Sequence, residues 1–164
     1  MYMKSPSFTV QCAVLVLIVT NALLAGCVAQ APAAVPPPDQ DGELFSLGAE
    51  SGRALGSMLS KISDDASRKD IASLATDSAT LSSLAGDYYF RIKDLNVSPK
   101  YQAMKTNYLM GLLDAETAGD YFLKSARAAQ SEDYTTALTY LEQGNTLFQR
   151  SNAYIRTAME PLPE

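Results

Sequence analysis

The sequence predicts an all-α protein: an up-down antiparallel four-helix bundle with three long helices and a shorter first one. Three observations carry this. Beyond residue 42, apolar residues recur at spacings of three and four in four separate segments. Ala, Ser, Leu and Thr dominate there, with few Val or Ile, which favours helix over sheet. The connections, at about 63–66, 96–98 and 131–132, are short, and short loops between long helices make neighbours antiparallel.

The first helix is expected over about 43–62, with an apolar stripe of Leu44, Leu47, Leu55, Met58, Leu59 and Ile62. Gly48, Gly52 and Gly56 recur along it at four-residue spacing. An interior glycine costs a helix about 1 kcal/mol against Ala, so a compensating close approach to a neighbouring helix is expected. Local fraying is the alternative. A small-xxx-small membrane interface is excluded by Glu43, Glu50, Arg53 and Lys61.

The second helix spans about 67–95. Its stripe is Ile71, Leu74, Ser78, Leu81, Leu84, Tyr88, Ile92 and Leu95. The third spans about 99–130, with Ser98 as hydroxyl cap and Pro99 at the first helical position. Met104, Tyr108, Leu112, Ala115, Ala118, Phe122 and Ala126 form its inner face. The fourth spans about 133–159, capped by Ser131 or Asp133 and stopped by Pro161 and Pro163. Tyr134, Ala137, Leu138, Leu141, Asn145, Phe148, Tyr154, Ile155 and Met159 are expected to face inward. A three-helix bundle with a peripheral first helix is the structural alternative.

A different kind of segment precedes these helices. Lys4 gives a weakly positive start, and Val10 to Ala25 is almost entirely apolar, too short for a bilayer span of about 20 residues. It closes on Leu24-Ala25-Gly26-Cys27, which resembles the lipobox of prokaryotic lipoproteins. The resemblance implies cleavage before Cys27, lipidation of that cysteine, and attachment to the extracytoplasmic side of a cell membrane. An uncleaved anchor and an ordinary signal peptide with a coincidental cysteine are the competing readings. No twin arginine is present, which favours the general secretory route.

The expected organisation is therefore a signal peptide over 1–26, a lipidated cysteine and Pro-rich tether over 27–42, and the helical domain over 43–160. Pro36-Pro37-Pro38 favours extended geometry, and the stretch after Cys27 could lift the domain about 45 Å from the bilayer. Cys12 would leave with the signal peptide. The mature chain, about 138 residues, suits one domain with a real core and no internal disulfide.

Net charge is −5 at pH 7, which argues against nucleic acid and against charge-driven binding to an anionic membrane face. Histidine is absent, which removes the commonest general base and metal ligand. No phosphate-binding glycine loop and no Gly-x-Ser-x-Gly elbow occur. Asp114, Glu116 and Asp120 cluster on helix three, but a spacing of two places side chains on diverging faces. Ser60-Lys61 and Lys124-Ser125 diverge likewise. No enzyme, cofactor or metal site is expected.

Two motifs remain. Residues 133–142 resemble the second helix of a tetratricopeptide unit: an aromatic, an Ala-Leu pair, then an aromatic and a Leu. No second copy follows at a spacing of about 34 residues. Asn96-Val97-Ser98 matches a glycosylation sequon, although Pro99 follows it directly.

The tyrosines are the best candidates for partner contact. Tracing the chain puts the 96–98 turn at the tether end, where Tyr88, Tyr89, Tyr101 and Tyr108 should gather. Tyrosine offers large amphipathic contact area, so a binding patch competes with a core boundary as their role. The expected function is a membrane-anchored binding or scaffold protein with an unknown protein partner. A tetratricopeptide-like adapter for extracytoplasmic assembly is the alternative.

Overall fold

In the computed structural model, which describes residues 39–160, the chain forms α1 (Asp39–Arg68), α2 (Ile71–Lys93), α3 (Gln102–Gln130) and α4 (Tyr134–Met159). A 3-10 turn, Pro99–Tyr101, leads into α3, and no strand occurs among the described residues. The protein is all-helical. The signal-like segment, Cys27 and most of the expected tether lie outside the described residues.

The first helix is the longest, at 30 residues, not the shortest. It gains a turn at its start because Asp39-Gln40-Asp41-Gly42, expected in the tether, is helical. Acidic residues in a first turn complement the exposed N–H groups there. It also runs through the expected 63–66 turn. That polar run holds no glycine or proline, and buried Asp65 accepts a hydrogen bond from Arg68 at 2.8 Å. The chain turns at Lys69, whose φ is 59°.

That turn and the one after α3 share one design. Lys69 N–H bonds to Ala66 O, and Asp70 N–H reaches back to Asp65 O. Glu132, with φ 61°, and Asp133 repeat this pairing with Ala129 O and Ala128 O. Each left-handed residue thus satisfies carbonyls that a helix end leaves bare. Asp70 and Asp133 then cap the next helix by accepting from Ser73 N–H and Thr136 N–H.

Close backbone approach follows chain order. α1 lies along α2, α2 along α3 and α3 along α4, with a small contact between α1 and α3. Any approach of α1 to α4 is slight beside these. Leu44, Leu55, Leu81, Ile92 and Leu112 are fully buried in one shared cluster. Each such side chain contributes about 1.5–3 kcal/mol relative to exposure.

The inner face of α4 differs from the expected one. Ala137, Gly144, Phe148, Ser151, Ile155 and Ala158 are buried, whereas Tyr134 and Met159 at the two ends are about half exposed. Small residues occupy this face because α3 and α4 meet almost backbone to backbone. A Cβ on Gly111 would lie 3.1 Å from Ser151 O, and one on Gly144 3.2 Å from Ala118 O. The α2–α3 seam is tighter still: a Cβ on Gly119 would meet Ser82 N at 2.7 Å and Ser78 O at 2.9 Å.

The glycines of α1 divide. Gly48 faces the Tyr108 ring and has no room for a methyl group, while Gly52 and Gly56 face open space. Close approach therefore explains only the first. Gly119→Ala is expected to cost about 1–3 kcal/mol or more by forcing two backbones apart. Gly52→Ala and Gly56→Ala are each expected to add about 1 kcal/mol. Thermal melts followed by circular dichroism check the contrast, and equal effects at all three positions would refute it.

Candidate functional site

The end of the domain where α1 begins is tied together by side chains of α1 and α3 that bond to the backbone between and around them. Ser98 N–H donates to Asp41 Oδ1 at 2.8 Å, and Asn96 N–H donates to Gln40 Oε1. Lys105 Nζ donates to Lys93 O at 2.7 Å and Leu95 O at 2.6 Å, covering bare carbonyls at the end of α2. Gln102 Nε2 donates to Val97 O at 2.9 Å. The 96–98 turn therefore sits beside the start of α1.

The cap at this turn is not the expected one. Ser98 has extended backbone but makes no side-chain cap bond. Asp41, fully buried and distant in sequence, accepts the Ser98 N–H instead.

The four candidate tyrosines do not form one exposed cluster. Tyr108 is buried against Gly48, and burial pushes its phenol above the ordinary tyrosine range. The Tyr88 ring is also buried, while its hydroxyl reaches the exposed Glu50 and donates to Oε1 at 2.9 Å. Burial first, then that acceptor, raises its pKa too. These two are core residues and offer a partner little area, a correction to the expected patch.

Tyr89 and Tyr101 are half-buried and remain at the surface. Tyr101 meets Phe45 of α1 edge to face at 5.0 Å, and Lys100 Nζ lies 4.7 Å from its ring centre. Tyr89 meets Phe90 edge to face at 5.6 Å, with Lys93 Nζ 5.9 Å from both rings. Phe90 is 61% exposed and Phe45 41%. Sequence reasoning missed both phenylalanines, because neither belongs to an apolar stripe. Their signal was an aromatic residue on the polar side of its helix.

The carboxylates of α3 diverge, as their spacing predicts. Asp114 is buried and held by Arg150 of α4 through two bonds of 2.6 Å. Asp120 accepts from Ser82 Oγ at 2.8 Å, and Glu116 lies beside Gly86. Ser125 points inward and donates to Ala137 O, whereas Lys124 turns out over the Tyr121 ring. No acidic, cysteine or histidine cluster able to hold a metal occurs among the described residues. An open groove of about 480 Å³ lies between Tyr121 and the Thr139–Leu147 stretch of α4, with Glu142 as its one carboxylate. No described helix is long and apolar enough to cross a membrane.

No protein-family model matches this chain, and neither the characterised proteins nor the solved structures compared with it give a match.

The clamp at the start of α1 has a direct test. Asp41→Ala leaves the Ser98 N–H without its acceptor and is expected to cost about 1–3 kcal/mol. Ser98→Ala, which removes no cap bond, is expected to cost under about 0.5 kcal/mol. Denaturant titration of the two variants checks this, and the reverse order would return the cap to Ser98.

The buried tyrosines predict an alkaline limit. Folding raises both phenol pKa values, so their stabilisation is complete below about pH 10 and is lost as pH rises through the raised values. Phenolate absorbance should show a late-titrating class that Tyr88→Phe and Tyr108→Phe each reduce. Titration of every tyrosine in one step near its ordinary value would contradict this.

Proposed function

We propose that this chain is a membrane-anchored extracytoplasmic lipoprotein whose helical domain serves as a non-catalytic binding or scaffold module. The observation that carries the reading is Leu24-Ala25-Gly26-Cys27 at the end of an apolar segment. A lipid on Cys27 would attach the protein at about 0.8 kcal/mol per buried methylene. The helical domain begins at Asp39, close behind that cysteine, so the anchor and the folded unit are neighbours in the chain.

The helices in this reading run up and down in sequence order. Contacts of Glu50 with Tyr88, Ser82 with Asp120, and Asp114 with Arg150 support opposite directions across each neighbouring pair. Buried polar groups serve this packing: Asp114 and Arg150 join α3 to α4, and Asp41 joins α1 to the 96–98 turn. The role then lies in the surface of the helical domain.

A tetratricopeptide-like adapter is the second reading. One observation favours it: close backbone approach runs mainly between successive helices, α1 with α2, α2 with α3 and α3 with α4. Such an order leaves room for a concave face, as in stacked helical pairs.

Cys27→Ser decides the anchor. It is expected to release the protein from membranes or to leave an unprocessed precursor. Mass measurement of wild-type protein should find the lipid on Cys27. A variant that fractionates with membranes as wild type does, with no lipid on either form, rejects the lipoprotein reading.

A further inference from the structure

We infer that the tether end of the domain docks on an anionic bilayer surface through the aromatic and basic side chains of the α2 end and the 3-10 turn. The inference rests on the lipid-anchor reading above and deepens it by naming the face that meets the membrane. The chain is acidic as a whole, but its charge is unevenly spread. Between Tyr88 and Lys105 stand Arg91, Lys93, Lys100 and Lys105 against one acid, Asp94; Asp87 and Glu43 flank the stretch, and Asp41 at the same end is buried with its carboxylate held by the Ser98 N–H. This stretch folds into the end from which the tether leaves, beside Gln40 and Asp41.

The side chains there combine in a way suited to a headgroup layer. Phe90 is the most exposed of the large apolar residues described, and Phe45 is the next exposed aromatic at this end. Lys93 lies over Tyr89 and Phe90, and Lys100 over Tyr101, so cation and ring are presented together. Aromatic rings with a polar or charged edge settle at the membrane–water boundary, and lysine ammonium groups pair with anionic headgroups. Water is a poor environment for an exposed phenylalanine, and a boundary layer removes that penalty.

The occupant is set by reach. Eleven residues separate Cys27 from Asp39, and even fully extended they span no more than about 40 Å. The bilayer is therefore the one surface always within range of this end, at high effective concentration. Tyr134, in the first turn of α4 beyond the 131–133 turn, marks the opposite end.

The full anchored chain, reconstituted into phosphatidylcholine vesicles with or without phosphatidylglycerol, provides the test. The sequence has no tryptophan, so Phe90→Trp places a single probe at the proposed face and Tyr134→Trp a control at the other end. Brominated lipid should quench the probe at position 90 strongly, more so with phosphatidylglycerol, and the control little. Adding Lys93→Gln and Lys100→Gln should lower the docked-to-free ratio about thirtyfold, taking about fivefold per basic residue at an anionic surface. Circular dichroism verifies that each variant is folded.

Equal quenching at both positions, or quenching at position 90 that ignores the lysines and the anionic lipid, overturns the inference. Protection that appears only as protein density rises assigns the face to a second copy and overturns it too. The mass of Cys27 is read in the same sample. An unlipidated cysteine defeats the anchor reading, whereas a lipidated cysteine with an unquenched probe defeats only the docking.

Discussion

The structure depends on how closely α3 lets its neighbours approach. At Gly119 its backbone lies against Ser78 and Ser82 of α2, leaving no space for even one methyl group. At Gly111 it receives Ser151 and Ile155 of α4, and Gly144 returns the contact against Phe122 and Ala118. Helices ordinarily pack 8–10 Å apart, with the distance set by the side chains between them. Glycine, alanine and serine at these seams shorten that distance and exchange hydrophobic bulk for dense van der Waals contact. The composition follows: a chain rich in Ala and Ser reaches a dense core by moving backbones together.

Serine serves the same seams. Ser78 and Ser125 are buried, and each returns its hydroxyl to a backbone carbonyl, Leu74 O within its own helix and Ala137 O across the seam. Each of these buried hydroxyls is tolerated because it finds a carbonyl acceptor. Asp114 is a larger concession, since a carboxylate so placed needs a cation, and Arg150 supplies both bonds from α4. The α3–α4 hairpin is thereby fixed in register as well as in distance.

α1 is attached by different means. It buries Leu44, Leu47, Leu55 and Ile62, a conventional apolar stripe, in the shared core, and it meets α3 where Gly48 receives Tyr108. Gly52 and Gly56 weaken it without a packing return. Its start is nonetheless pinned, because Gln40 and Asp41 hold the turn between α2 and α3. The start of α1 is thus linked to that turn and the aromatic residues around it through two side chains. Phe45 and Tyr101, in contact at 5.0 Å, lie on this path.

The sequence by itself determined the all-helical class, the number of helices and most of the buried stripes. The periodicity of residues such as Leu74, Ser78, Leu81 and Tyr88, or Leu112, Ala115 and Phe122, is a local property of one helix face. It also held Asp70 and Asp133 beside the turns, of which only Asp133 was read as a cap. What escaped it depends on distance between chain segments. Nothing local marks Asp41 as the acceptor for Ser98, so the start of α1 reads as tether. Nothing local separates Gly48, which receives a ring, from Gly52 and Gly56, which face open space. The same holds for Ser151 and Ala158, small buried residues with little hydropathy signal, and for Tyr88 and Tyr108, whose burial the neighbouring helices decide. Side-chain pattern is written along one helix, whereas close approach, capping from afar and the fate of an amphipathic ring belong to the space between helices.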